Sequence, residues 1–203
     1  MNKEQRDFVK PILDTFENED IKKFAITLLD NLPPYIWEVG ASSTGKYHPA
    51  YTLGYYGLMK HQVAVVRFIN FFFELEQYNT IFNSRQRDCL RVAALIHDGR
   101  KSGSQKDYEN SKYTKFNHPL LMAKKVMSYK DMNIIPNDDI LYIAKAISCH
   151  MGQWNIDKKS DLSLPKPTSE SQKLLHLADY LASRKSLNVD FSEYMIPTEP
   201  MEK

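Results

Sequence analysis

The window from Val63 to Leu75 constrains the fold of this chain more than any other stretch. It is almost continuously apolar, interrupted by Arg67 and Asn70 and closed by Glu74. It falls short of the ~20 residues that a membrane-spanning helix needs, so it reads as a core helix. The pattern extends that helix from Leu58 to about Phe82, with His61, Val65, Phe68, Phe72 and Leu75 on or near one stripe and Val66, Ile69 and Phe73 beside it.

Helical spacing recurs on both sides of this element. Residues 4–16 and 20–32 carry Phe8, Ile12 and Phe16, then Ile21, Phe24, Ala25, Leu28, Leu29 and Leu32, and Pro33-Pro34 stops the second run. A further helix starts at Asn83 or Ser84, both good caps, and runs to His97. Asn117-His118-Pro119 opens another, with Leu120, Leu121, Ala123 and Val126 apolar. Asn137-Asp138-Asp139 leads a helix through Ile140, Ile143, Ala144 and Ile147 that ends at Cys149-His150 before Gly152. The last runs from Glu170 to about Leu187 and holds Asp179 among Leu174, Leu175, Leu177, Ala178, Leu181 and Ala182. Two long connections separate these elements. Residues 35–57 are rich in small and aromatic side chains, and residues 99–116 are polar with interleaved cations and rings. No strand and no repeat is signalled, which makes the chain all-α. At 203 residues it suits one domain. Residues 1–45 are expected as an N-terminal helical pair packed on the core, 46–187 as the main domain and 188–203 as a loosely held tail.

Twenty-seven Lys and Arg against 25 Asp and Glu leave a formal charge of +2, which excludes a global field pulling the chain onto nucleic acid or an anionic membrane. Polyanions would have to be met by local clusters. Two cysteines, Cys89 and Cys149, and no secretory pattern at the N-terminus fit free thiols in a cytoplasmic protein.

The chemistry is concentrated where helices end. Val92-Ala93-Ala94-Leu95-Ile96 stops abruptly in His97-Asp98-Gly99. An imidazole and a carboxylate there can share one divalent cation, favoured by the negative end of the helix dipole, or the pair can be a plain polar cap. His118 stands at a helix N-terminus and His150 at a helix end, while His61 starts the buried stripe and Asp179 is a carboxylate that needs a partner or a metal if buried. One such residue from each of five helices is what a site in the middle of a helical bundle requires. Around it, Lys46 in Ser42-Ser43-Thr44-Gly45-Lys46, His48 on the same loop, and Arg100, Lys112 and Lys115 in the second connector are candidate contacts for a phosphorylated, base-bearing ligand. His176, one turn before Asp179, either orients that carboxylate or is a partly exposed residue.

A His, a His-Asp pair and a distal Asp, all on helices, resemble the HD-domain phosphohydrolase superfamily. The local contexts Gly57-Leu58-Met59-Lys60-His61, Ala94-Leu95-Ile96-His97-Asp98 and Leu177-Ala178-Asp179 match in kind, over roughly residues 46–187. The resemblance implies an HD-type helical bundle holding one or two divalent ions, Mn, Fe, Zn, Co or Mg. His61, His97 and Asp179 would hold one ion, His118 and His150 a second, and Asp98 would bridge. The superfamily's two-metal branches carry extra histidines between the pair and the last Asp, although cyclic-dinucleotide enzymes usually show His-His where this chain has Cys149-His150.

The implied activity is hydrolysis of a phosphoester or phosphoanhydride of a nucleotide or other small phosphorylated substrate, or of a nucleic-acid end, with Asp98 and Lys101 as catalytic residues. A single-metal nucleotidase or deoxynucleotide triphosphohydrolase and a non-enzymatic nucleotide-binding regulatory module are the alternatives. The oligomeric state is not legible.

Overall fold

The computed structural model describes residues 1–43, 45, 48–158 and 160–197, and among them the protein is all-α. The helices are α1 (Lys3–Leu13), α2 (Glu19–Asp30), α3 (Gly57–Glu74), α4 (Glu76–Asn79), α5 (Ser84–Ile96), α6 (Gln105–Asn110), α7 (His118–Met127), α8 (Asn137–Ser148) and α9 (Glu170–Ala182), with short 3₁₀ turns at Pro34–Trp37, Ala50–Thr52 and Gly152–Trp154. The one β-type pairing among the described residues is an isolated antiparallel bridge between Ile156 and Ser163. No helix among them is long and apolar enough to cross a membrane.

The apolar window does what its composition dictates. α3 packs against α1, α5 and α9 at once, which buries Val63, Ala64, Val65, Val66 and Ile69 completely. The helix is shorter than its periodicity predicts. It ends at Glu74, where Leu75 turns extended (φ −76°, ψ 132°), and only the single turn of α4 follows. Leu75 and Ile81 are exposed, so past Phe73 there is little core left for an apolar stripe to cover. Reciprocal capping boxes fix the starts of four helices through Asn2/Gln5, Asn83/Gln86, Ser104/Asp107 and Ser169/Gln172.

Three further expectations need adjusting. The connector over 99–116 contains α6, set by the Ser104 cap. α9 stops at Ala182, several residues before Leu187. The aromatic content of the 35–57 connection acts as expected against disorder, since Tyr35, Trp37 and Tyr56 enter the core. The segment after α9 is not loose up to residue 197, since Phe191 and Tyr194 are buried and both pack on Phe8 of α1.

Two chain crossings set the entry to α3. Tyr56 takes a left-handed conformation (φ 59°) at its start, held by its ring packing on Phe8 and Trp37. Gly57 lies so close to the preceding turn that a Cβ would stand 2.2 Å from the Thr52 carbonyl oxygen. Backbone cannot yield as a side chain can, so Gly57→Ala is expected to destabilise the fold by about 1–3 kcal/mol, read as a lowered thermal midpoint. An unchanged midpoint would show that the 49–57 turn moves freely.

Candidate metal centre

The geometry around the His-Asp pair follows from how α5 ends. His97 is the C-cap residue, and Gly99 N–H closes a tight turn onto the Ile96 carbonyl (2.8 Å), so Asp98 is thrown inward across the end of the helix. Tyr35 holds the chain beyond: its hydroxyl donates to the Gly103 carbonyl and accepts from Ser102 N–H, both at 3.0 Å, and its ring stacks on Tyr108. Burial pushes that phenol up to about 12, so it remains a neutral donor.

Three histidines are aimed by one device. His97, His118 and His150 each place Nδ1 against the carbonyl three residues back, Ala94 (2.8 Å), Lys115 (2.7 Å) and Ile147 (2.8 Å). An imidazole nitrogen facing a carbonyl must carry the proton. Nδ1–H therefore donates outward, and in the neutral ring Nε2 turns its lone pair towards the cluster.

The inward atoms meet. His118 Nε2 lies 3.2 Å from His150 Nε2 and 2.9 Å from Asp98 Oδ1, and His150 Nε2 lies 3.6 Å from that same oxygen. His61 Nε2 is 3.0 Å from Asp179 Oδ1, and His97 Nε2 is 3.6 Å from Asp179 Oδ1 and 3.8 Å from Asp98 Oδ2. Two sets of atoms could hold an ion, His61 with His97 and Asp179, and His97 with Asp98 and His150, and His118 joins the second through its distances to Asp98 and His150.

The donor chemistry fits a divalent cation. With both inward nitrogens unprotonated, His118 and His150 would face each other lone pair to lone pair, an arrangement that something positive between them relieves, and the buried His97 Nε2 has no hydrogen-bond partner. Ligands ~2.1 Å from one tetrahedral ion stand ~3.4 Å apart, the spacing these atoms already show. Oxygen and imidazole donors together suit Mn, Fe, Zn or Co. Cys149 is not among them. Its thiol donates back to the Lys145 and Ala146 carbonyls, and burial pushes it up to about 11.

Charge is distributed to match. Burial alone would raise both carboxylates. Lys101 and His97 instead hold Asp98 well below its usual range, and His61 and His97 do the same for Asp179. Lys101 Nζ donates to Asp98 Oδ2 at 2.5 Å. Burial also opposes a charge on His97, but Asp98 and Asp179 outweigh it and raise that ring. Burial lowers His61 and His118.

The other residues singled out in the sequence are placed unevenly. His48 packs edge-on against His61 (centroids 5.2 Å apart) and is held down to about 3 by burial and by His61. Arg100 is half-buried beside the pair, with Nε unpartnered. Lys112 is exposed on the connector, and the Lys115 ammonium pairs with Asp107 at 2.7 Å; it is the Lys115 carbonyl, not its charge, that serves the cluster by aiming His118. Lys46 lies outside the described residues. His176 does not orient Asp179: its Nδ1 donates to the His150 carbonyl at 2.8 Å, because the chain after α8 folds back over α9.

Titration of the chelator-stripped protein should expose the cluster. His48, His61 and His118 have folded values below the unfolded one near 6.5, so the unfolded chain binds more protons as pH drops past it. Their contribution is complete above pH 6.5 and is lost progressively on acidification below it; His97, shifted up, works the other way. The urea midpoint is expected to fall between pH 7.5 and 5, and a flat profile would contradict the burial of these rings.

A family model described as HD domain matches residues 58–184. No curated protein and no solved structure gives a significant match.

Proposed function

The chain belongs to the HD-domain family of metal-dependent hydrolases, and from that membership we propose that it hydrolyses a phosphoester or phosphoanhydride of a nucleotide-like substrate at the cluster around Asp98. The observation that carries this reading is the facing pair of His118 and His150, two acceptor nitrogens 3.2 Å apart whose protons are committed elsewhere. His61, His97 and Asp179 would hold one divalent ion and His118 and His150 a second. Asp98 would serve both, since Oδ1 faces the histidine pair and Oδ2 faces His97. Bound ions of this kind supply Lewis acidity towards a phosphoryl oxygen and bring the pKa of water close to 7.

The protein's own part is to orient and to balance charge. The three carbonyl contacts fix the imidazole tautomers before substrate arrives. Lys101 anchors Asp98 and places an ammonium at the edge of the cluster, where with Arg100 it offsets the charge that grows on the phosphoryl group. The two buried free thiols suit a cytoplasmic setting.

The test is turnover by protein loaded with Mn, Fe or Co against nucleoside mono- and triphosphates, cyclic nucleotides, dinucleoside polyphosphates and short RNA, with bound metal counted in parallel. Hydrolysis in at least one class, with two ions per chain and one in His118→Ala, is expected. One ion in the unsubstituted protein would favour a single-metal nucleotidase. Metal and nucleotide binding without turnover on any class would make this a binding module.

A further inference from the structure

The rim of the cluster carries a ring surface that the metal-type residues do not use. Trp154, at the end of the Gly152–Trp154 turn, is 46% exposed, whereas Trp37 is buried. Its indole stacks on Tyr180 (centroids 5.7 Å apart, planes 13° apart), and the Arg184 guanidinium lies 4.3 Å from the Tyr180 ring centroid. Trp154 also meets the His176 ring edge-on at 5.9 Å.

This surface is fastened to the cluster. His176 donates to the backbone carbonyl of His150, and Gly152 (φ 56°) presses so closely on His176 that a Cβ would stand 2.2 Å from the imidazole. His176 thus ties the turn bearing Trp154 to the backbone of His150. On α9, His176 and Tyr180 stand four residues apart with Asp179 beside them, and Arg184 follows just past the end of the helix. Asp179 marks the open side of the site: its side chain is 20% exposed, against at most 4% for His61, His97, Asp98, His118 and His150. The exposed indole is joined through its ring contacts with His176 and Tyr180 to the helix that carries Asp179.

We propose that Trp154, backed by Tyr180 and Arg184, is a stacking subsite for the planar ring of the substrate, a nucleobase, whose phosphate enters at the Asp179 edge. A face of this kind grips any base through its π surface, and the neighbouring guanidinium adds attraction for the ring and for phosphate charge. The subsite rests on the hydrolase reading above for its substrate, but not for its test.

The probe is α,β-methylene-ADP, with methylenediphosphonate as the base-free control, titrated calorimetrically into Mn-loaded protein. Wild type is expected to bind the nucleoside compound roughly 10-fold more tightly than the control. Trp154→Ala removes that difference, Trp154→Phe retains most of it, and neither changes binding of the control. Equal binding of the two compounds by wild type overturns the proposal, as does a Trp154→Ala protein that weakens both alike. A base-dependent difference in a protein that turns over no phosphoester supports the subsite while refuting the hydrolase reading, and turnover without any base-dependent difference does the reverse.

Discussion

Asp98→Asn is expected to lose bound metal and to lower kcat/KM on the order of 10³-fold or more, at least ~4 kcal/mol of transition-state stabilisation, while leaving the fold intact. The reason lies in what each carboxylate oxygen faces. Oδ1 is 2.9 Å from His118 Nε2 and 3.6 Å from His150 Nε2, and Oδ2 accepts from Lys101 at 2.5 Å. In the asparagine variant the amide oxygen keeps the Lys101 contact and the amide N–H₂ turns to the two imidazole lone pairs. Those lone pairs are then satisfied by protons, and the position a cation would need is closed. Metal content by atomic emission, turnover and thermal melting separate the outcomes. The stripped variant should melt at or above the stripped wild type, whereas a variant that keeps full metal content and turnover would remove Asp98 from the site.

Asp88→Ala should cost about 3–5 kcal/mol of stability with little direct effect on catalysis. Asp88 lies on α5, fully buried, and its Oδ2 accepts from Glu17 N–H (3.0 Å), Asn18 N–H (2.7 Å) and Asn18 Nδ2 (2.8 Å). Oδ1 accepts from Arg91 Nη1 at 2.6 Å, and Arg91 in turn donates to Asn70 of α3 and lies over the Phe73 ring. One carboxylate therefore ties the α1–α2 turn to α5 and, through Arg91, to α3. Its removal strands a largely buried guanidinium and three donors at once. Urea unfolding reads the cost, and a loss below about 1 kcal/mol would mean that water replaces the carboxylate.

The stability network was not legible beforehand because Asp88 falls among helix residues that look like an ordinary solvated face. What could be read were features whose cause is local. The apolar window of α3, the Asn83 cap of α5 and the Asn117-His118-Pro119 opening of α7 all express preferences of a few adjacent residues. The meeting of His61, His97-Asp98, His118, His150 and Asp179 was accessible in outline, since each sits on a helix or at its end and the order resembles a known family.

Tertiary partners decided the rest. Which ring nitrogen faces inward depends on a carbonyl three residues back, and motif spacing says nothing about it. Of the two readings open for His176, the partly exposed one holds and the support of Asp179 does not, because the chain returning from α8 brings the His150 carbonyl to its Nδ1. Trp154, Tyr180 and Arg184 escaped notice altogether. Their only signal was position, four residues after one candidate ligand and one and five after another. The burial of Phe191 and Tyr194 was hidden by a polar, proline-bearing segment that offers too few apolar residues to show a period.

The central claim, that the inward-facing nitrogens and carboxylates are ligands rather than a hydrogen-bonded core, can be tested by anomalous diffraction from crystals of the Mn-reconstituted protein. The account predicts one anomalous peak among His118 Nε2, His150 Nε2 and Asp98 and a second among His61, His97 and Asp179. A map from fully Mn-loaded crystals with no peak at either place would contradict it.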